Sequence, residues 1–172
     1  MSALSVLYFV LPFPLAFILH DGEEAAVQHR WMNRHGVMLT QRFPKMRRVV
    51  GHLRGLDTRA FAIAALEELL VIVLATCYVL IQGSYCMEIW SALFIAFSVH
   101  LLVHVCQAVM VRGYVPGLVT SLLLLPYAYF GMESIWYAMS GVEIVLWGTA
   151  GIVFMVLNLL FAHRLGRLAT RR

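Results

Sequence analysis

Five apolar runs dominate the chain, at residues 3–21, 60–81, 87–111, 116–132 and 141–163. Each approaches or exceeds the roughly 17–25 residues that a helix needs to cross ~30 Å of hydrocarbon. The runs are continuously apolar and do not alternate, which excludes a β-barrel. The pattern predicts an all-α fold, a polytopic membrane helix bundle of five transmembrane helices, forming a single integral membrane domain over residues 1–172 with a basic cytoplasmic loop at 22–58. Pro12 and Pro14 are expected to kink the first helix or to start it late. The first run is expected to stay in the mature protein. It has no positive n-region and no small-x-small cleavage site, and it flows directly into His20, Asp21, Glu23 and Glu24.

Composition agrees with the pattern. The sequence is 62% hydrophobic and 13% charged, the balance of a polytopic membrane protein. The placement of charge adds an orientation. All 13 Lys and Arg fall between residues 30 and 59, at Arg112, or from Arg164 onward. With five spans these positions share one side, so the N-terminus is expected outside and the C-terminus in the cytoplasm. The stretch from Arg42 to Arg48 is explained by this asymmetry and by attraction to anionic headgroups. Nucleic-acid binding is therefore not expected, and the main partner is the lipid bilayer. Cys77, Cys86 and Cys106 form no C-x-x-C pair and read as small apolar residues. Five spans do not divide into the two halves of an inverted-repeat transporter.

Ionisable residues inside the apolar runs carry the chemistry, because each costs about 2.5–3.5 kcal/mol or more at the bilayer centre. His20 lies three and four residues before Glu23 and Glu24, a spacing that shares one helix face. Glu67 and Glu68 interrupt the second run, about 12–13 Å along the helix from Arg59. Adjacent positions lie ~100° apart around a helix, so the two acids face different neighbours. His100 and His104, four residues apart, offer two imidazoles from one face, and Gln107 continues that face. His104 lies about 12 Å from Arg112 by the same rise. His29, His35 and His52 fall in the basic loop, where exposure is the ordinary expectation.

Acids and imidazoles at matched depth point to a divalent metal. Carboxylate with imidazole suits Zn or Fe, with Mn as a third candidate, in a mononuclear or dinuclear site. The expected ligands are His20, Glu23, Glu24, Glu67, Glu68, His100 and His104. Glu24 and Glu68 are the expected catalytic carboxylates. Gln107, Tyr114, Asn158 and His163 are expected to hold the ligands in place. The reading is a membrane-embedded metal-dependent enzyme, hydrolase or oxidase, acting on a lipid or lipid-like apolar small molecule at the cytoplasmic leaflet. A metal-ion or proton transporter and a non-catalytic membrane scaffold are the alternatives.

These residues also resemble a known family. His20-Asp-Gly-Glu23-Glu24 fits the H-x-x-E-E signature of the small bacterial HXXEE-motif membrane proteins. The segment from His104 through Gln107, Arg112, Tyr114, Pro116 and Gly117 to Thr120 is similar to a second stretch of that family. The resemblance implies a bacterial inner (plasma) membrane protein and supplies no function. Read physically, the Tyr114 to Thr120 segment is a tight turn in which Pro116 opens a helix and Gly117 lets a neighbouring helix approach.

Overall fold

The structure, a computed structural model, describes residues 6–170. Residues 3–5 of the first apolar run, and Arg171 and Arg172 of the basic tail, lie outside the described residues. Six α-helices lie among the described residues: α1 Phe13–Arg42, α2 Arg47–Arg54, α3 Thr58–Leu80, α4 Cys86–Val111, α5 Leu118–Ala138 and α6 Gly141–Thr170. A π-helical turn at Val6–Val10 precedes α1, and a 3-10 turn at Pro44–Met46 precedes α2.

Four of these helices, α3 to α6, are long and apolar enough to cross a membrane. The expectation of five spans is corrected on this point. The first apolar run is not a helix of its own. Pro12 stands at the N-cap and Pro14 within the first turn of α1, where a missing N–H costs nothing. From there the helix passes through residue 21 and reaches Arg42, 30 residues and about 45 Å in all. The segment expected as a loop at 22–58 is mostly helical too. The reason lies in one continuous buried stripe: Phe13, Phe17, His20, Glu24, Gln28, Met32, Gly36 and Leu39, spaced three or four residues apart.

The basic half of α1 is fixed on two sides. Trp31 donates its indole N–H to the Tyr114 carbonyl at 3.0 Å, and Arg42 donates to the Val111 carbonyl at 3.0 Å. His29 Nδ1 pairs with the Leu56 carbonyl at 3.0 Å. Beneath α2, Met32, Leu39 and Val50 form a small apolar cluster with Phe43 and Leu53 around it.

The bundle is apolar on its outside as well as in its core, and a set of polar side chains is buried within it. Leu66, Leu70 and Leu74 form an exposed row along α3, facing where lipid would lie, while His20, Asp21, Glu24, Gln28, His104 and His163 are buried. At the end remote from the basic residues, the bundle closes on Val10, Phe13, Trp90, Phe94 and Ile135. The Trp90 and Phe94 rings stack at 4.7 Å, and Phe13 meets Phe94 edge-on at 5.3 Å. Without a hydrophobic force between helices in lipid, close packing depends on small residues. A Cβ on Gly151 would collide with the Ala92 carbonyl of α4, and one on Gly166 with the Ala60 carbonyl of α3. Thus α6 leans on α4 at its start and on α3 at its end.

Candidate metal centre

Three imidazoles and one carboxylate converge where α1 crosses α4 and the start of α5. His20, Glu24, His100 and His104 each offer one ligand atom, all within 4.8 Å of one another. Glu24 sits at the centre. Its Oε2 lies 4.0 Å from His20 Nε2 and 3.6 Å from His100 Nε2, and its Oε1 lies 3.6 Å from His104 Nε2. His100 and His104 bring their Nε2 atoms to 3.0 Å. A tetrahedral ion with bonds of ~2.0–2.1 Å separates neighbouring ligand atoms by about 3.4 Å. The observed separations bracket that value, so this group could hold one metal ion.

The protonation pattern fits the same conclusion. The Thr120 hydroxyl has a single hydrogen, which it donates to Glu23 Oε2 at 2.6 Å. It must therefore accept from His20 Nδ1 at 3.1 Å. That places the His20 proton on Nδ1 and leaves a lone pair on Nε2. This atom is buried and makes no hydrogen bond, an arrangement that a cation would satisfy. His100 and His104 likewise aim ring nitrogens at each other. Two lone pairs at 3.0 Å repel unless a proton or a metal ion lies between them.

The spacing in the sequence produces this geometry directly. His20 and Glu24 stand one turn apart on α1, and His100 and His104 stand one turn apart on α4, so each helix presents a pair. Gly117 closes the third side. Its φ is +80°, and a Cβ there would stand 3.0 Å from both the His104 and His20 rings. Glycine alone satisfies both conditions. The Pro116 carbonyl faces His104.

Other residues of interest lie outside the four. Glu23, expected as a ligand, turns to the start of α5. It accepts from the Thr120 N–H at 2.8 Å, the Val119 N–H at 3.4 Å and the Tyr114 hydroxyl at 2.7 Å. A carboxylate is favoured there because a helix N-terminus presents unpaired N–H groups and positive dipole. Glu23 and Thr120 thereby form a chain that orients His20, the usual way a ligating imidazole is held. Burial and the hydrogen bond to Glu23 raise the Tyr114 hydroxyl well above the usual tyrosine range.

Glu67 and Glu68 do face different neighbours. Glu67 accepts from Asn158 of α6 at 3.0 Å and is not among the four. Glu68 lies near Asp21, Glu24 and His100 and lines a cavity beside the group. Gln107 lines the same cavity. Pro116 lies in the turn before α5, one residue short of the N-cap.

His163 joins a second cluster. Arg167 donates to His52 Nδ1 at 2.9 Å, so His52 donates from Nε2 to His163 Nδ1 at 3.1 Å. Burial and the nearby Arg167 lower the His52 pKa below 6.5. His52 was expected to be exposed, and α2 carries it onto α6 instead. Asp21 was not among the expected site residues, yet it is buried beside Glu24 and Glu68. Its position three residues before Glu24 and seven before Gln28, on one helical face, was the available signal. The hydroxyl of Thr120 gave no such signal, since its role depends on contacts across 100 residues.

The molecule is thus a helical membrane protein with a three-histidine, one-glutamate group in which His20, Glu24 and His104 are buried and His100 is half-buried. The chain belongs to the family described as proteins of unknown function with HXXEE motif, which matches residues 11–131. The motif's first and last positions, His20 and Glu24, face the group, and its other glutamate, Glu23, braces it. Comparisons with curated proteins and with solved structures yield no match.

Proposed function

We propose that this protein is a metal-dependent enzyme of the bacterial plasma membrane, of hydrolase or oxidoreductase type, acting on a lipid or other apolar substrate. The observation that carries this reading is the convergence of His20, Glu24, His100 and His104 on one point, with the His20 Nε2 lone pair buried and unpaired. Three imidazoles and a carboxylate suit Zn or Fe. A bound ion would supply Lewis acidity, polarising a substrate oxygen or a water molecule. Glu24 is a ligand in this scheme. Glu68, which faces the cavity outside the four, is the group to take or give a proton. Glu23, Thr120 and Tyr114 hold His20 in the ligating tautomer.

Transport fits less well. An ion path needs polar groups across the whole bilayer, whereas the cluster of Val10, Phe13, Trp90 and Phe94 is apolar and packed. The described basic residues lie at the end where α4 meets α5, and the excess of Lys and Arg on cytoplasmic faces supports reading that end as cytoplasmic and the start of α1 as outside.

Elemental analysis of the purified protein tests the reading. It should return about one equivalent of Zn or Fe per chain, as expected for a complete ligand set. His104→Ala and His100→Ala should each lower that content while helicity persists. Metal-free protein whose thermal stability ignores chelators would overturn the proposal.

A further inference from the structure

The candidate centre opens onto a cavity of ≈ 720 Å³ framed by α1, α3, α4 and α6, with α2 at its basic end. Along α4 the cavity runs from Leu93 to Val111, which are 18 residues and about 27 Å apart. A cavity of that length suits an extended hydrocarbon chain lying along α4. Its walls are mainly apolar, with Phe17, Ala64, Ile72, Ala96 and Phe97 among them. Carboxylates enter only in the middle, from Asp21, Glu24 and Glu68, and cationic side chains only at one end, from Arg48 with His52 beside it.

The cavity also has a side opening, which the helix packing explains. Helix α6 touches α4 through Gly148 against Ile95 and Gly151 against Ala92. By Asn158 it bonds to Glu67 of α3, and by Gly166 it lies on Ala60 of α3. Beyond Gly151, therefore, α6 diverges from α4 as both run toward the basic end. Val103 of α4 and Phe154 and Leu160 of α6 line the cavity, and all three are also exposed on the outer surface. They form the rim of a gap that faces the hydrocarbon of the bilayer.

We infer that the cavity takes one hydrocarbon chain of an anionic phospholipid, entering sideways between α4 and α6, with the lipid phosphate at Arg48. A two-chain lipid keeps its second chain in the bilayer, which a lateral gap permits and a closed pocket would not. The phosphate belongs at Arg48 because the carboxylates in mid-cavity repel it, and because α2 presents that arginine at headgroup level. His104 is seven residues from Val111, so the ligand group lies about 10 Å from the cavity's basic end. The site therefore faces the upper part of the bound chain. This inference deepens the proposed function and rests on it for the chemistry, though not for the binding.

Native mass spectrometry of the purified full chain tests it, with four probes: long-chain phosphatidylglycerol, phosphatidylcholine of the same chains, dihexanoyl phosphatidylglycerol and inorganic phosphate. One long-chain phosphatidylglycerol should be retained per protein. Its preference over phosphatidylcholine should be about fivefold, the worth of one basic side chain at an anionic headgroup. Arg48→Glu should remove that preference. The double variant Val103→Trp with Leu160→Trp should lose retention of both long-chain lipids, and Leu123→Trp, on the outer face of α5, should not. The exposed positions of all these residues leave folding undisturbed.

Equal retention by the double variant overturns the lateral route. Equal retention of the short-chain lipid or of phosphate overturns the chain site. Metal content measured on the same samples separates the two readings. Metal-loaded protein that retains no lipid overturns this inference, whereas metal-free protein that retains phosphatidylglycerol overturns the enzyme proposal and leaves the lipid site standing.

Discussion

Thr120→Val isolates the support of the candidate centre from the centre itself. Valine keeps the shape of threonine and deletes the oxygen that accepts from His20 Nδ1 at 3.1 Å and donates to Glu23 at 2.6 Å. The Thr120 backbone N–H still reaches Glu23 at 2.8 Å, so the start of α5 keeps its carboxylate. What changes is His20. Its buried Nδ1–H loses its partner, at a cost of about 1–3 kcal/mol. The ring can escape that cost by moving its proton to Nε2, which is the nitrogen that must be bare to bind an ion.

Removing such a support elsewhere weakens metal binding by about 10- to 100-fold, or about 1.4–2.7 kcal/mol. The two figures overlap, which is expected if they measure the same event. The assay is competition for Zn between the purified protein and a chromogenic chelator. Thr120→Ser should restore most of the affinity. Thr76→Val, which removes a buried hydroxyl that has no hydrogen-bond partner, should change nothing. Wild-type affinity in Thr120→Val, or a serine variant as weak as the valine one, would refute the chain from Glu23 through Thr120 to His20.

Further outcomes follow from the same geometry. Gly117→Ala forces an L residue into φ +80° and sets a methyl 3.0 Å from two imidazoles, so it should cost about 1–3 kcal/mol of stability and lower metal content, read by thermal melting and elemental analysis. Gly151→Val should separate α6 from α4 at Ala92 and lower the melting temperature, with Gly141→Ala, which meets open space, as the neutral control. His52 has a folded pKa below its unfolded value of 6.5, so between the two the unfolded chain binds more protons. Stability should therefore fall as pH drops below 6.5, and His52→Gln should flatten that decline in melts at successive pH values. The apolar half of α1 packs along α4 through Phe13 on Phe94 and Phe97, so it traverses the bundle beside the four apolar helices; reporter fusions should therefore find the C-terminus in the cytoplasm and the N-terminus outside, and both ends on one side would contradict the charge asymmetry.

The all-helical membrane class, and the pairs His20 with Glu24 and His100 with His104, were legible in the sequence. Hydrocarbon demands long apolar helices, and one helical turn is a local repeat that needs no knowledge of the fold. The length of α1 was legible only in part. Its polar half lacks the apolar signal of a span, although Gln28, Met32, Gly36 and Leu39 continue its buried stripe. What holds that half as helix is tertiary: Trp31 on Tyr114 and Arg42 on Val111. The roles of the acids were likewise a matter of assembly. Glu23 and Glu24 are neighbours in the chain, but ~100° of helical rotation sends one to α5 and the other to the imidazoles. Glu67 and Glu68 part in the same way, toward Asn158 and toward the cavity. Sequence decides which residues can share a helix face. Which face meets which is decided by where glycines let helices touch, and Gly117, Gly151 and Gly166 settle that only once the bundle is assembled.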